Sequence, residues 1–508
     1  MNIKGNSFVL AWRRINVLLG FGIAAYFFLL PGLTVLRDLS DPALKSDATP
    51  RAARRLFRSL TPHYARWASA RVQAGRADHL TTEQIAATEW PLFGSVFYLW
   101  AVEELQADWE RQEKRREPAP RDFARDAIEA ATDLVLDPGH AAWVIDHWGK
   151  EYLHRENVFY RMLLISAMTS HFHLTGDPRH MDFLRDQTES LADELDRSPH
   201  GVLDDYPSEC YPADVLMAIA AIRRADAVLG TDHSEFAARA IRGFQGRLLD
   251  RRGLPPYFAD AREGVAFEPS RGCGISYACT SAPYIWPEIS IAWSRLYEEH
   301  FWQESYGLRG FREFPKDRTG QNWYFDVDSG PVLGGIGVSA SAFGVAASRI
   351  LGRFDRAWPL AAQMIVFGWP LPNGDLLTPR ILSHAAHAPY LGEACILYNL
   401  TRRAAPGMTP QTGGRLPPIA GWATGVNYLL GLLFIRSEYR AFRRWRKHAE
   451  SARIRAPRLQ FAIWLMALAT ACVITVRFGM TFGALALLIA LPWPLNMREK
   501  INRKRATR

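Results

Sequence analysis

Residues 204–214 hold the densest group of side chains able to move a proton: Asp204-Asp205-Tyr206-Pro207-Ser208-Glu209-Cys210-Tyr211-Pro212-Ala213-Asp214. Carboxyls buried near one another cannot all ionise, so one of them is pushed towards holding its proton at neutral pH. A protonated carboxyl beside an ionised one is what general acid/base chemistry needs. Pro207 and Pro212 impose an irregular connection, and Pro212 is well placed to open a helix. The competing account is that Asp204, Asp205 and Asp214 are caps and solvated turn residues.

Three further places have the same character. His154-Arg155-Glu156-Asn157-Val158-Phe159-Tyr160 reads as the start of a helix, with Glu156 and Tyr160 on one face at i, i+4. Trp323-Tyr324-Phe325-Asp326-Val327-Asp328-Ser329-Gly330 sets two carboxyls into an aromatic loop. Ser383-His384-Ala385-Ala386-His387 reaches Tyr390 and Glu393. A zinc site from His384, His387 and Glu393 lacks the His-Glu-x-x-His pattern, so capping and packing are the better account, and no metal is expected. Gly334-Gly335-x-Gly337 has neither a full dinucleotide fingerprint nor a following Gly-Lys-Ser/Thr, and no cofactor is expected from it. No Gly-x-Ser-x-Gly elbow is present.

The elements that must position these residues are helices. Apolar residues at helical spacing run through 81–112, 120–136, 155–175, 178–196, 212–229, 233–248, 283–303, 333–352, 354–367 and 388–402, with a capping pattern at Thr81-Thr82-Glu83-Gln84. Turn-rich connectors separate them, no βαβ alternation appears, and convincing strands are few. About ten helices joined by short loops predict an all-α fold, an (α/α) toroid in which helix pairs close into a ring. No strict repeat marks a solenoid.

The ends of the chain differ from its middle. Segments 15–36, 417–435, 459–476 and 478–495 are apolar and of bilayer-spanning length, and the first is too long for a cleaved signal. Three short segments flanking them (1–14, 436–458 and the tail 496–508) carry 18 Lys/Arg against 3 acids, more than the whole net charge of +9. Basic residues gather in cytoplasmic loops, so four spans with both termini inside are expected, with 38–416 outside as one domain. The implied location is a bacterial-type inner membrane, multi-pass, with the large domain periplasmic. Charge confined to membrane flanks removes the reading of a nucleic-acid binder. The partners left are the bilayer and a small molecule, with room for a homo-oligomer. Of five cysteines, Cys273 and Cys279 lie nearest in sequence, but spacing alone cannot establish a disulfide.

Glu156-Asn157-Val158-Phe159-Tyr160, then Tyr211-Pro212 opening an apolar helix, then Asp326-Val327-Asp328-Ser329-Gly330-Pro331, resemble in order the linalool dehydratase/isomerase family over roughly residues 80–400. The resemblance implies an (α/α) barrel whose centre hosts metal-independent acid/base chemistry on a terpenol-like alcohol. Aligned on Tyr211-Pro212, the family's two site cysteines fall on Asp205 and Asp214, and its histidine falls on Leu163. Asp205 and Asp214 are then the proton-transfer pair. Glu156, Tyr160, Glu209 and Asp326 position substrate and tune the pair, while Phe159, Tyr206, Cys210, Tyr211, Trp323, Asp328 and His384 line the substrate. A carboxyl pair serves equally a hydrolase or lyase acting on glycans, and a toroid could also be a non-catalytic ligand binder.

Overall fold

The computed structural model describes residues 3–80, 84–113, 117–449, 458–478 and 480–490. The chain is mostly helical and divides into two units. One comprises Met1–Arg37, Trp369–Leu377 and Gly421–Arg508; the other comprises Asp38–Gly368 and Thr378–Ala420.

The chain starts with α1 (Ile3–Ala24), passes through one π turn (Ala25–Leu29) and continues as α2 (Leu30–Leu39). The wide turn has a covalent cause. Pro31 lies in the first turn of α2, cannot donate a hydrogen bond and crowds the preceding turn, so the ladder widens, with Leu30 N–H reaching the carbonyl of Ala25. The carbonyl of Phe27, which residue 31 would have served in α register, is taken instead by the indole N–H of Trp369 at 2.7 Å. The stretch Arg14–Leu39 is long and apolar enough to cross a membrane.

The second unit runs α3 (Arg51–Gln73), α4 (Ile85–Glu110), α5 (Arg125–Leu136), α6 (Val158–Thr175), α7 (Met181–Arg197) and α8 (Pro212–Leu229). It continues with α9 (Gly272–Ala278), α10 (Pro287–Phe301), α11 (Val338–Ile350), α12 (Phe354–Gly368) and α13 (Leu391–Thr401). Helices such as α4, α6 and α8 bury residues around nearly their whole circumference, as interior helices do. By contrast α3, α5 and α7 bury one stripe and leave charged residues in water. The interior helices pack in sequence, α4 on α6, α6 on α8, α8 on α9, α9 on α11 and α11 on α13, and α13 packs on α4 again. Among the outer ones, α3 lies on α5 and α13, α7 on α6 and α8, and α12 on α11.

Short antiparallel strands interrupt the helices. β1 (Phe258–Asp260) pairs with β2 (Val265–Glu268), and β3 (Trp302–Ser305) with β4 (Leu308–Phe311). β5 (Trp323–Asp326), β6 (Gly330–Leu333) and β7 (Ile336–Gly337) form a three-stranded sheet in that order. Four expected boundaries are therefore corrected. The helix predicted over 333–352 starts at Val338, because Gly334 and Gly335 adopt positive φ (61° and 91°) and turn β6 into β7. The helix predicted from 155 starts at Val158, since Glu156 and Asn157 are left-handed (φ 35° and 52°), so Glu156 and Tyr160 do not share a helical face. Tyr390 (φ 67°) likewise delays the last helix to Leu391, and 233–248 is helical only over Ser234–Ala240 before 3₁₀ turns. The capping residues Thr81–Glu83 lie outside the described residues.

The chain ends with α14 (Pro418–Ala449), α15 (Arg458–Phe478) and α16 (Met480–Ala490), the last two packed on each other. Among the described residues, Pro418–Arg440 is the second helix long and apolar enough to cross a membrane. Gly431 sits where a Cβ would come within 2.7 Å of Leu29, so α14 approaches the first helix closely there. The loop Trp369–Leu377 belongs with these helices, Leu371 packing with Ile23 and Phe27.

This arrangement makes the Pro31–Trp369 pair testable. Trp369→Phe strips the Phe27 carbonyl of its donor in an apolar setting, at a cost of about 1–3 kcal/mol. In detergent its melting temperature should fall. Adding Pro31→Ala supplies a backbone N–H and should recover part of the loss. Equal melting temperatures for the single and double variants would refute the substitution of indole for amide.

Candidate active site

The 204–211 segment is a tight hairpin. Asp205 N–H donates to the Glu209 carbonyl (2.8 Å), Glu209 N–H donates to the Tyr206 carbonyl (2.7 Å), and Ser208 takes a left-handed φ of 71°. Asp204 accepts the Ser208 N–H at 2.8 Å and closes the turn. Two braces hold the hairpin: Glu156 Oε2 accepts the Asp204 N–H (3.0 Å), and Trp148 Nε1 donates to the Asp205 carbonyl (3.0 Å). Asp205 is thereby buried at 2% exposure. One of its oxygens, Oδ2, accepts the Tyr211 N–H at 2.9 Å; the backbone of Phe159 also faces the carboxyl and favours its ionised form, but Oδ1 makes no hydrogen bond of normal geometry among the described residues. A buried carboxyl oxygen without a partner is unusual and invites a ligand or a proton.

Pro212 starts α8, and Asp214 lies in its first turn. A helix N-terminus favours the carboxylate, yet burial and then the charge of Asp328 push Asp214 up to about 7. Asp205 rises well above the carboxylate range through burial and then through Asp214. Glu89, half-buried on α4, also rises through burial and then through Asp328, Asp214 and Glu209. Burial raises Asp328, from the β5–β6 turn, while the hydroxyl of Tyr257 donates to it. Four carboxyls from four separate parts of the chain thus feel one another. Burial and mutual repulsion disfavour ionising all four together at neutral pH, and the titrations of Asp205 and Asp214 are linked. Tyrosines border them: Tyr206 donates to Glu89, and Tyr211 packs edge-on against Tyr257. Burial and then Asp214 raise the phenol of Tyr277 on α9.

A second layer fixes the β5–β6 hairpin. Arg271 donates to Glu313 Oε1 (2.8 Å) and Asp326 Oδ2 (2.6 Å), with its guanidinium 4.3 Å from the Tyr257 ring centre. Glu313, fully buried, is pushed up to about 6 by burial in spite of Arg271. It accepts the Cys273 thiol at 3.1 Å. Burial works to raise Asp326, but Ser329 N–H and Arg271 outweigh it, and Asp326 stays below its ordinary range.

The structure brings Asp205, Asp214 and Asp328 together with Tyr206 and Tyr211. Glu209 is exposed and accepts from the Tyr211 hydroxyl (3.3 Å); Asp326 is held by Arg271. Cys210 is buried behind the loop, its carbonyl paired with Ala259 N–H. Glu156 braces the loop from its backbone side. The Tyr160 hydroxyl donates to the Val135 carbonyl (3.3 Å), and Phe159 packs against Phe93 and Trp143. Trp323 faces solvent, and His384 lies edge-on to Tyr390, its basicity lowered by burial and Arg380. Residues that the sequence reading missed are Glu89, Tyr257, Arg271, Cys273, Tyr277 and Glu313. Glu89 alone carried a signal, as the single acid in the apolar run 85–102. Cys273 and Cys279 are free thiols.

No protein-family model and no curated protein matches the chain.

A carboxyl whose folded pKa is raised binds its proton more tightly in the native state. Its stabilising contribution is full below the unfolded value near 4 and is lost as pH rises through about 7. Asp214→Asn removes that loss. The variant should melt higher than wild type above pH 7, with the difference closing towards pH 4. A pH-independent difference in thermal melts would contradict the raised carboxyl.

Proposed function

We propose that the chain is a membrane-anchored enzyme that dehydrates or isomerises a terpenol-like alcohol by acid/base catalysis, in the manner the linalool dehydratase/isomerase resemblance implies. The observation that carries this reading is Asp214, a carboxyl held up to about 7 beside buried Asp205 with its unpartnered oxygen. In this scheme α4, α6, α8, α9, α11 and α13 are the inner helices of an (α/α) barrel, and the carboxyls sit where their connecting loops gather. Protonated Asp214 gives its proton to the substrate hydroxyl, the C–O bond breaks and water leaves. An ionised carboxylate of the group, Asp205 or Glu89, removes a proton from the adjacent carbon, and the electron pair forms the alkene. The reverse sequence at the other alkene carbon completes an isomerisation.

The ring faces of Tyr211 and Tyr257 beside the same carboxyls favour a second reading, a glycan-acting hydrolase or lyase. Product analysis with linalool and with a polysaccharide panel distinguishes the two.

Turnover should fall as pH rises above about 7, where Asp214 loses the proton it must donate, and also at low pH as the base is protonated. Asp214→Asn, nearly isosteric, should keep the fold and lose about a hundredfold to ten-thousandfold in turnover. Unchanged turnover in both Asp214→Asn and Asp205→Asn would end this mechanism.

The anchoring is by four spans, the two described apolar helices together with segments 459–476 and 478–495, placing both termini in the cytoplasm and 38–416 in the periplasm. Support comes from the basic flanks. Reporters fused after Arg508 and within 180–368 should give opposite sidedness; the same side for both would refute this topology.

A further inference from the structure

The hairpin that carries Asp326 and Asp328 has two unlike faces. Register sets Trp323 opposite Leu333 and Phe325 opposite Pro331, so these four side chains share one face. Trp323 and Phe325 are 76% and 73% exposed, and Leu333 and the turn residue Val327 are exposed too. The other face is turned to the protein, with Val332 buried, Tyr324 edge-on to Phe314 though still partly exposed, and Asp326 on Arg271. Scattered exposed apolar residues are ordinary on a protein surface, but a contiguous aromatic face on an edge strand is not.

The position of this face bears on what covers it. Beyond Leu333, Gly334 lies under the ring of Tyr306, itself 87% exposed at the β3–β4 turn. The next residue, Gly307, accepts through its carbonyl the N–H of Ile419 at 3.1 Å. Ile419 is in the first turn of α14, whose Pro418–Arg440 stretch has membrane-spanning length and hydropathy. The apolar face therefore adjoins the start of a span, at the level where Trp and Tyr gather in membrane proteins. We propose that the outer face of the β5–β6 hairpin, with Tyr306, lies in the headgroup–acyl boundary of the bilayer while its turn presents Asp328 to the carboxyl group. The proposal rests on Pro418–Arg440 being a span and is independent of the reaction catalysed.

The test uses the full-length protein with Cys472→Ser, in phosphatidylcholine/phosphatidylglycerol nanodiscs. An environment-sensitive fluorophore is attached at Phe325→Cys, at Leu429→Cys within the span, or at Glu263→Cys on the exposed β1–β2 turn. Spin-labelled lipid with the nitroxide at a shallow acyl position should quench the label at 325 about twofold, as expected for a residue seated a few ångströms below the headgroups. It should leave the label at 263 unchanged, while lipid carrying the nitroxide deep on its acyl chain should quench the label at 429, halfway along Pro418–Arg440. Quenching at 429 with none at 325 overturns the proposal while keeping the span. No quenching at 429 removes the span and the proposal with it. Self-quenching at 325 that grows with protein per disc and ignores the nitroxide lipid also overturns it, assigning the face to a second copy of the chain.

Discussion

Carboxyls gathered in a poorly solvated place set the constraint around which this part of the helical unit is arranged. Glu89, Asp205, Asp214 and Asp328 come from four separated stretches of chain, and the nearby guanidinium of Arg271 is taken up by Glu313 and Asp326. The group is tolerable in a folded protein only while it retains protons, because ionising every member would set several charges in a poorly solvated place. Much of the neighbouring architecture serves to hold it. The 204–211 hairpin, the two braces from Glu156 and Trp148, and Pro212 fixing the start of α8 all resist the repulsion that would otherwise spread these elements.

The dominance of helix was legible from periodicity alone, and where a single residue type dictated a boundary the reading was accurate. Pro212 both ends the irregular stretch and opens the helix, so the predicted 212–229 coincides with Pro212–Leu229. Boundaries failed where tertiary hydrogen bonds, rather than local preference, decided the backbone. Glu156 is left-handed because its N–H is taken by Glu194 at 2.8 Å, an acid 38 residues away. The strands were invisible because each spans only two to four residues, too few for alternation to register.

Site residues divide along the same line. Asp205, Tyr206, Tyr211 and Asp214 were legible because they crowd one short stretch. Glu89 reaches them across 117 residues of sequence through Tyr206, and Arg271 meets Asp326 across 55, so no local pattern could join them. Tyr160 shows the converse: a phenol within the stretch that carries the family resemblance, but with its hydroxyl on a backbone carbonyl of α5.

The loop Trp369–Leu377 adds a consequence for how the chain is made. The Phe27 carbonyl acquires its indole donor from a residue 342 positions later. During synthesis the first helix therefore leaves the ribosome with an unsatisfied polar group, and it keeps that defect until 342 further residues have followed. Over that interval the N-terminal helix must be held by lipid, water or an insertion factor rather than by its own protein. Its final seating therefore waits on a loop made long after it.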